Sequence, residues 1–206
     1  NIVFISCVGS RQEPGVYKPL QENQQLNRYC SRVCCTAALK NALLIKKKYP
    51  DANVYYLYRD IRTYGRGHEK YYRDASEALI RFMKYDGRAP PIVTSNSDEL
   101  TVTVDDVLTG NETFVIKADL VVLATAMVPS RTLADIQGKL KIAKSGDGFL
   151  QEAHAKLRPL DTATEGIFIA GAAQGPKDVT DAVAMGSAAA AKASIPLAQG
   201  KVDLEP

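Results

Sequence analysis

The chain reads as α/β, with a parallel sheet, flanking helices and an antiparallel β-meander. Three observations predict this. Residues 2–58 run strand, helix, strand, the order of a βαβ unit. Residues 100–116 alternate apolar and polar on either side of Thr109-Gly110-Asn111, as a hairpin does. Two apolar runs, 119–125 and 166–173, lead into small residues, as buried parallel strands do where a ligand approaches.

The first strand is Ile2-Val3-Phe4-Ile5-Ser6, short and β-branched. Cys7-Val8-Gly9-Ser10-Arg11 follows as a turn. Residues 12–28, with Pro14, Gly15 and Pro19, form an unusually long polar loop. From Ser31 the spacing is helical. Ala37, Ala38, Leu39, Ala42, Leu43, Leu44 and Ile45 crowd one broad face, and Pro50 stops the helix. Lys46-Lys47-Lys48 suits its last turn, where cations meet the negative end of the dipole. Residues 53–58 are the next strand. A basic, glycine-containing loop, 59–67, leads to a helix predicted over 69–85, with Tyr72, Ala75, Leu79, Phe82 and Met83 on one side. Residues 129–160 are mixed, and an alanine-rich helix is predicted over 181–193.

Composition excludes several function classes. The 206 residues carry a net charge of +3, too little to argue for nucleic acid or a charged membrane surface. No apolar stretch reaches the roughly 18–20 residues that span a bilayer, so direct membrane insertion is not expected. No general acid–base pair stands out; His68 and His154 read as surface histidines. The chain opens inside a strand pattern without an initial Met, and it is expected to be a piece of a longer protein.

The chemistry points to the cysteines. There are four, spaced C-x22-C-x3-C-C: Cys7 at the end of the first strand, and Cys30, Cys34 and Cys35 at the start of the first helix. A strand end and the following helix start lie close together in a βαβ unit, so the thiols can converge. Four thiolates are the inventory of a tetrahedral metal or iron–sulfur site. Zinc sites use two C-x2–4-C hooks, and the second is absent here. On spacing alone, a cluster, a zinc ion and unligated thiols all stay open. A vicinal Cys34–Cys35 disulfide would be a strained ring. The helix N-terminus favours thiolates, and Arg11 and Arg32 add positive charge. Four clustered cysteines without secretory features fit a reducing, cytoplasmic compartment.

Longer motifs carry a resemblance. Cys-Val-Gly-Ser-Arg, Tyr-Cys-Ser-Arg-Val-Cys-Cys with Ala-Leu-Lys beyond it, Tyr-Arg-Asp-Ile-Arg-Thr-Tyr-Gly and Gly-Ile-Phe-Ile-Ala-Gly-Ala-Ala-Gln-Gly-Pro-Lys-Asp occur in that order. Together they resemble the heterodisulfide reductase A-subunit family, which includes flavoprotein subunits of quinone-interacting oxidoreductases. The resemblance runs nearly end to end. It implies a thioredoxin-reductase-like flavoprotein with a built-in 4Fe–4S cluster. It also implies electron transfer between FAD and that cluster within a complex of anaerobic metabolism, with flavin-based bifurcation as one form. Residues 1–123 would be a pyridine-nucleotide-domain-like lobe carrying the cluster cysteines. Residues 124–206 would be the C-terminal part of an FAD-binding domain.

Residue by residue, the resemblance makes Cys7, Cys30, Cys34 and Cys35 the cluster ligands. Lys40 matches a family lysine near the flavin ring, where a cation stabilises a reduced, anionic flavin; an ordinary helix-surface lysine is the alternative. Ala124, Thr125 and Ala126, with Gly171, Ala172, Gln174, Gly175, Asp178, Val179 and Thr180, match flavin-contacting segments. Partners implied are other subunits of a redox complex and, through them, small electron carriers or disulfide- or quinone-linked acceptors; a homodimer stays open. The family spacing between the first two cysteines is shorter, so 12–28 reads as an insertion. The G-x-G-x-x-G that holds the ADP part of FAD is absent. Where a nicotinamide lobe would place its own, the chain has Cys7-Val8-Gly9-Ser10-Arg11, and direct NAD(P)H binding there is not expected. Two other classes remain beside this reading. One is a docking or structural module with empty or zinc-bound cysteines; the other is a flavin disulfide reductase using a cysteine pair.

Overall fold

The computed structural model describes residues 1–19, 25–96 and 99–200. The middle of the expected 12–28 insertion and the last six residues of the expected C-terminal lobe lie outside the described residues. The chain divides into two compact units, Asn1–Ala126 and Met127–Pro206.

The first unit is built on a four-stranded parallel sheet in the order β3-β2-β1-β7, and its architecture is the expected α/β one. Its centre is β1 (Ile2–Val8), in which five consecutive residues are buried. A strand buried on both faces reads as a nearly continuous apolar run, and this one does, with Ser6 its one buried polar residue. It pairs with β2 (Val54–Tyr58) from Ile2↔Val54 and with β7 (Leu120–Thr125) from Ile2↔Leu120. β7 is an edge strand, and Leu120 and Leu123 stay about half exposed. It is therefore not the fully buried strand that its apolar run suggests.

Helix α1 (Cys34–Lys48) turns Cys34, Cys35, Ala38, Leu39 and Ala42 to the sheet. Those positions fall on one face at a 3.6-residue period. It starts three residues later than the sequence spacing suggests. Arg32 adopts φ +62° and the Val33 amide donates to the Ser31 carbonyl, so the chain turns tightly before the helix. At the far end Lys46 Nζ donates to the Pro50 and Ala52 carbonyls, satisfying acceptors beyond the last turn.

The predicted 69–85 helix is half helix and half strand. Helix α2 (Glu69–Glu77) ends where Leu79 takes φ +59°, and β3 (Arg81–Lys84) pairs in parallel with β2. The reason lies in Phe82 and Met83. They are adjacent, so in a strand they point to opposite faces. Phe82 packs on Tyr56 and Tyr72, with ring centroids at 5.6 and 5.1 Å, while Met83 joins Val102 and Val104 on the other side.

The second sheet is antiparallel: β4 (Ile92–Asn96), β5 (Glu99–Asp106) and β6 (Glu112–Ala118). β4 extends the expected hairpin by a strand. Val102, Val104, Ile116 and Ala118 pack against Val3, Ile5, Leu57, Met83 and Tyr85. The opposite face of the parallel sheet, through Phe4, Val54 and Tyr56, meets α1, Ala75 of α2 and Ile80. The parallel sheet is thus covered on both faces, by helices on one and by the small sheet on the other.

The second unit holds α3 (Leu133–Leu140) and α4 (Val179–Gln199), and a small cluster of Ile142, Leu150 and Ile169 against which Leu133 of α3 packs. The expected strand at 166–173 is not one. Among the described residues both sheets lie in the first unit, so this run has no ladder to join. It makes a single bridge, Asp161↔Phe168, and a 3-10 turn at Gly171–Ala173. α4 is longer than expected. Asp178 caps it by accepting from the Asp181 amide at 2.7 Å, and Gly200 closes it in the left-handed region.

Candidate metal centre

The four cysteines come from three elements of the first unit. Cys7 sits at the irregularity between Ile5 and Val8 in the β1–β7 ladder, with φ +60°. A bulge beside a strand end re-aims one side chain, here a thiol. Cys34 and Cys35 open α1, and Cys30 lies in the loop before it. All four are free thiols; Cys7, Cys34 and Cys35 are buried and Cys30 is partly exposed.

The long loop between Cys7 and Cys30 closes on itself. The Arg11 amide donates to the Tyr29 carbonyl at 2.9 Å, and the Gln12 amide to the Asn27 carbonyl at 3.0 Å. The Asn27 amide returns a bond to Gln12 Oε1 at 2.8 Å, and Asn27 Nδ2 reaches the Gly9 carbonyl at 3.0 Å. The two ends of the insertion are therefore pinned together. Lengthening a loop closed in this way costs little, because closure entropy grows only logarithmically with length.

The loop after β2 supplies the charges. Arg11 Nη2 pairs with Asp60 at 2.7 Å, and Arg62 and Lys84 also approach that carboxylate. Arg59 donates to the Arg11 carbonyl and to Glu13. Cys35 Sγ lies 3.8 Å from the Asp60 carbonyl oxygen, the Arg32 amide donates to Cys30 Sγ at 3.3 Å, and Ser6 Oγ lies 3.9 Å from Cys7 Sγ. The thiols feel one another. Donation from Cys34 pulls the Cys35 thiol down against burial, helped by the Arg62 backbone, Tyr56 and Arg11. The same bond, with burial and the charges of Cys35, Cys7 and Cys30, pushes Cys34 up. Burial raises Cys7, and Ser6 and Arg11 oppose it.

Two further signs mark the place. Cys7, Arg11 and Arg32 are half of the non-glycine residues in the left-handed region among those described. Each such residue costs on the order of 1–3 kcal/mol, a strain that persists at functional sites. Three buried polar atoms here have no hydrogen-bond partner: Ser10 Oγ, Arg11 Nη1 and Tyr56 Oη. Among the described residues, no three His, Cys, Asp or Glu side chains close on one point as ligands of a single metal ion do. Ligands of a cubane cluster bind four separate corners and stand further apart. Four thiols, with unsatisfied guanidinium and hydroxyl donors in electrostatic reach, fit such an anionic cluster.

The other expected residues lie apart from the thiols or in the second unit. Lys40 is exposed on α1. Ala124 and Thr125 end β7, and the Ala126 amide donates to the Val8 carbonyl at 2.8 Å. A Cβ at Gly9, which holds φ +78°, would sit 3.6 Å from Ala126 Cβ. In the second unit Gly171 is buried at φ +63° and Ala172 is exposed in the same turn. Gln174 Nε2 donates to the Pro159 carbonyl, and Gly175 is partly buried. Asp178 caps α4, and Val179 and Thr180 are exposed in its first turn. Sequence reading passed over Tyr56 and Asp60. For Tyr56 the available signal was its period-2 position, which falls with Val54, at the middle of a strand with three tyrosines; for Asp60, a lone acid among Arg59, Arg62 and Arg66.

Against protein-family models the chain gives no match. Relatives do match. It is 45% identical over 206 residues to the A-subunit of the H2:CoB-CoM heterodisulfide, ferredoxin reductase of Methanothermobacter marburgensis, covering all of this chain and 29% of that protein. It is 47% identical over 207 residues to the iron-sulfur A-subunit 1 of the CoB–CoM heterodisulfide reductase of Methanopyrus kandleri, covering 99% of this chain and 29% of that one. A protein of Archaeoglobus profundus that is like the same heterodisulfide reductase component is 44% identical over 205 residues, and this chain spans 27% of its length. From end to end, the chain is homologous to a part of the heterodisulfide reductase A-subunit, somewhat under a third of its length.

Proposed function

We propose that this chain holds a 4Fe–4S cluster on Cys7, Cys30, Cys34 and Cys35, and that it works in electron transfer with FAD inside a heterodisulfide-reductase-like complex. The observation that carries this is the thiol constellation itself. Four free cysteines from a strand bulge, a pinned loop and a helix start lie in mutual electrostatic range, with unsatisfied donors around them. The name of the Methanopyrus kandleri relative, an iron-sulfur component, supports the same reading.

Cluster and flavin, when bound, supply the electron transfer; the protein's part is binding, placement and electrostatics. The bulge at Cys7 and the first turn of α1 hold the ligands. Arg11, fixed by Asp60, offsets the negative charge that a thiolate-bound cluster brings. The small residues Ala124 and Ala126 at the end of β7, and the start of α4, would lie against FAD. Lys40 would act on the flavin ring. Partner subunits and soluble electron carriers would complete the path.

A dithiol flavin disulfide reductase is the second reading, and the lowered pKa of the buried Cys35 thiol, a better nucleophile among free cysteines, favours it. Iron decides between them. Anaerobic reconstitution of the chain is expected to give about four irons and four sulfides, with a broad visible band that bleaches on reduction. Cys34→Ala is expected to lose both band and iron. An unchanged spectrum in that variant, or no iron in the parent chain, sinks the cluster reading.

A further inference from the structure

Tyr56 stands in the middle of β2, fully buried, on the sheet face covered by α1. Its ring is well placed, with centroids 6.4 Å from Phe4 and 5.6 Å from Phe82. A phenylalanine would make the same ring contacts. The hydroxyl is what a phenylalanine lacks, and no acceptor meets it at hydrogen-bond geometry. Burying a hydroxyl without a hydrogen bond costs about 1–3 kcal/mol. The fold does satisfy its other buried tyrosine: Tyr85 Oη donates to the Ser6 carbonyl at 2.7 Å. Helix α1, which covers this face, buries Cys34 and Cys35 in its first turn. A thiolate there is an acceptor for the hydroxyl, and the bond becomes worthwhile when that sulfur carries negative charge.

We propose that the Tyr56 hydroxyl donates a hydrogen bond to Cys35 Sγ of the bound cluster and sets the cluster's reduction potential. The proposal rests on the cluster reading. A donor to a ligating sulfur stabilises the more negative, reduced form, so it raises the potential. Tyr56 is then a positioning and tuning residue, not a ligand, and the strand that buries it fixes the donor without a rotamer search.

The test is an EPR-monitored redox titration of the anaerobically reconstituted chain, with iron and sulfide counted on the same samples. Tyr56→Phe is expected to keep the iron of the parent chain and to reduce at a more negative potential. Tyr58→Phe, which removes a hydroxyl two residues along the same strand face, is expected to titrate with the parent. Tyr56→3-fluorotyrosine, a stronger donor of nearly the same size, is expected to move the potential the other way, and it decides the matter if the phenylalanine variant does not load. A loaded Tyr56→Phe chain at the parent potential overturns this proposal and leaves the cluster reading standing. A parent chain that takes up no iron overturns the cluster reading, and this proposal with it.

Discussion

The two units of this chain differ in how they are stabilised. The first buries a parallel sheet on both faces, with Val3, Leu39, Tyr56, Leu57 and Val102 almost entirely out of solvent. The second has no sheet among its described residues, five buried apolar side chains (Ile142, Phe149, Leu150, Leu160 and Ile169), and a 21-residue helix with no buried position. Val179, Val183 and Leu197 of that helix are largely exposed. Hydrophobic stabilisation scales with area removed from water, so the first unit carries most of what this chain can generate. The expected cluster ligands all sit there. A site that tolerates three left-handed residues and three unpaired polar atoms needs a rigid frame to hold them.

The largest break in that comparison is Leu39→Ala. Leu39 is wholly buried between α1 and the sheet, and its truncation is expected to cost about 2–5 kcal/mol. Val183→Ala on α4, at 64% exposure, is expected to stay within about 0.5 kcal/mol. Urea midpoints of the two variants against the parent chain measure the gap. Equal losses would mean that α4 is buried in solution and that the units are not so different.

The same contrast separates what was legible in the sequence from what was not. Strands β1 and β2 were legible because a doubly covered strand reads as a nearly unbroken run of β-branched, aromatic and other apolar residues. The meander was legible from alternation about Gly110. Phe82 and Met83 misled because their spacing from Tyr72, Ala75 and Leu79 also fits a helix; the left-handed turn at Leu79 that separates helix from strand leaves no trace in the apolar pattern. The run at 166–173 misled differently. An apolar segment becomes a strand only when another strand is there to pair with it. The cysteines were legible as a set, yet the pinning of the 12–28 loop was not, because it depends on Gln12 meeting Asn27 across the loop. Nor was the unpaired Tyr56 hydroxyl, which is a property of packing.

A smaller effect sharpens the comparison from the other side. Asp178→Ala removes the side-chain cap of α4, a loss of about 1 kcal/mol for a capping residue. Because α4 buries nothing, the loss is expected to appear locally. Amide hydrogen exchange should quicken in the first turn of α4 while the amides of β1 and β2 keep their protection. Faster exchange in β1 as well would show that the two units unfold together.

The smallest expected effect lies at Asp60, in the loop that ties Arg11 to the thiols. Burial pushes its carboxyl up, but the hydrogen bond and charge of Arg11, with Lys84 and Arg62, outweigh this and leave it below the usual carboxylate range. A carboxyl depressed on folding contributes stability that is fully present above its unfolded value, near ~3.9. That contribution is lost as pH falls through the folded value. Asp60 is 46% exposed, so solvent screens the pair, and the contribution belongs with exposed ion pairs at roughly 0.2–1 kcal/mol. Asp60→Asn is therefore expected to lower the urea midpoint slightly at pH 7, with the gap narrowing as pH falls below ~3.9 through the folded value. A gap that keeps its size as pH falls would mean that Asp60 acts through packing of the 59–62 loop rather than through its charge. Arg11 would then be held at the thiols by its backbone contact with Tyr29 and not by the carboxylate.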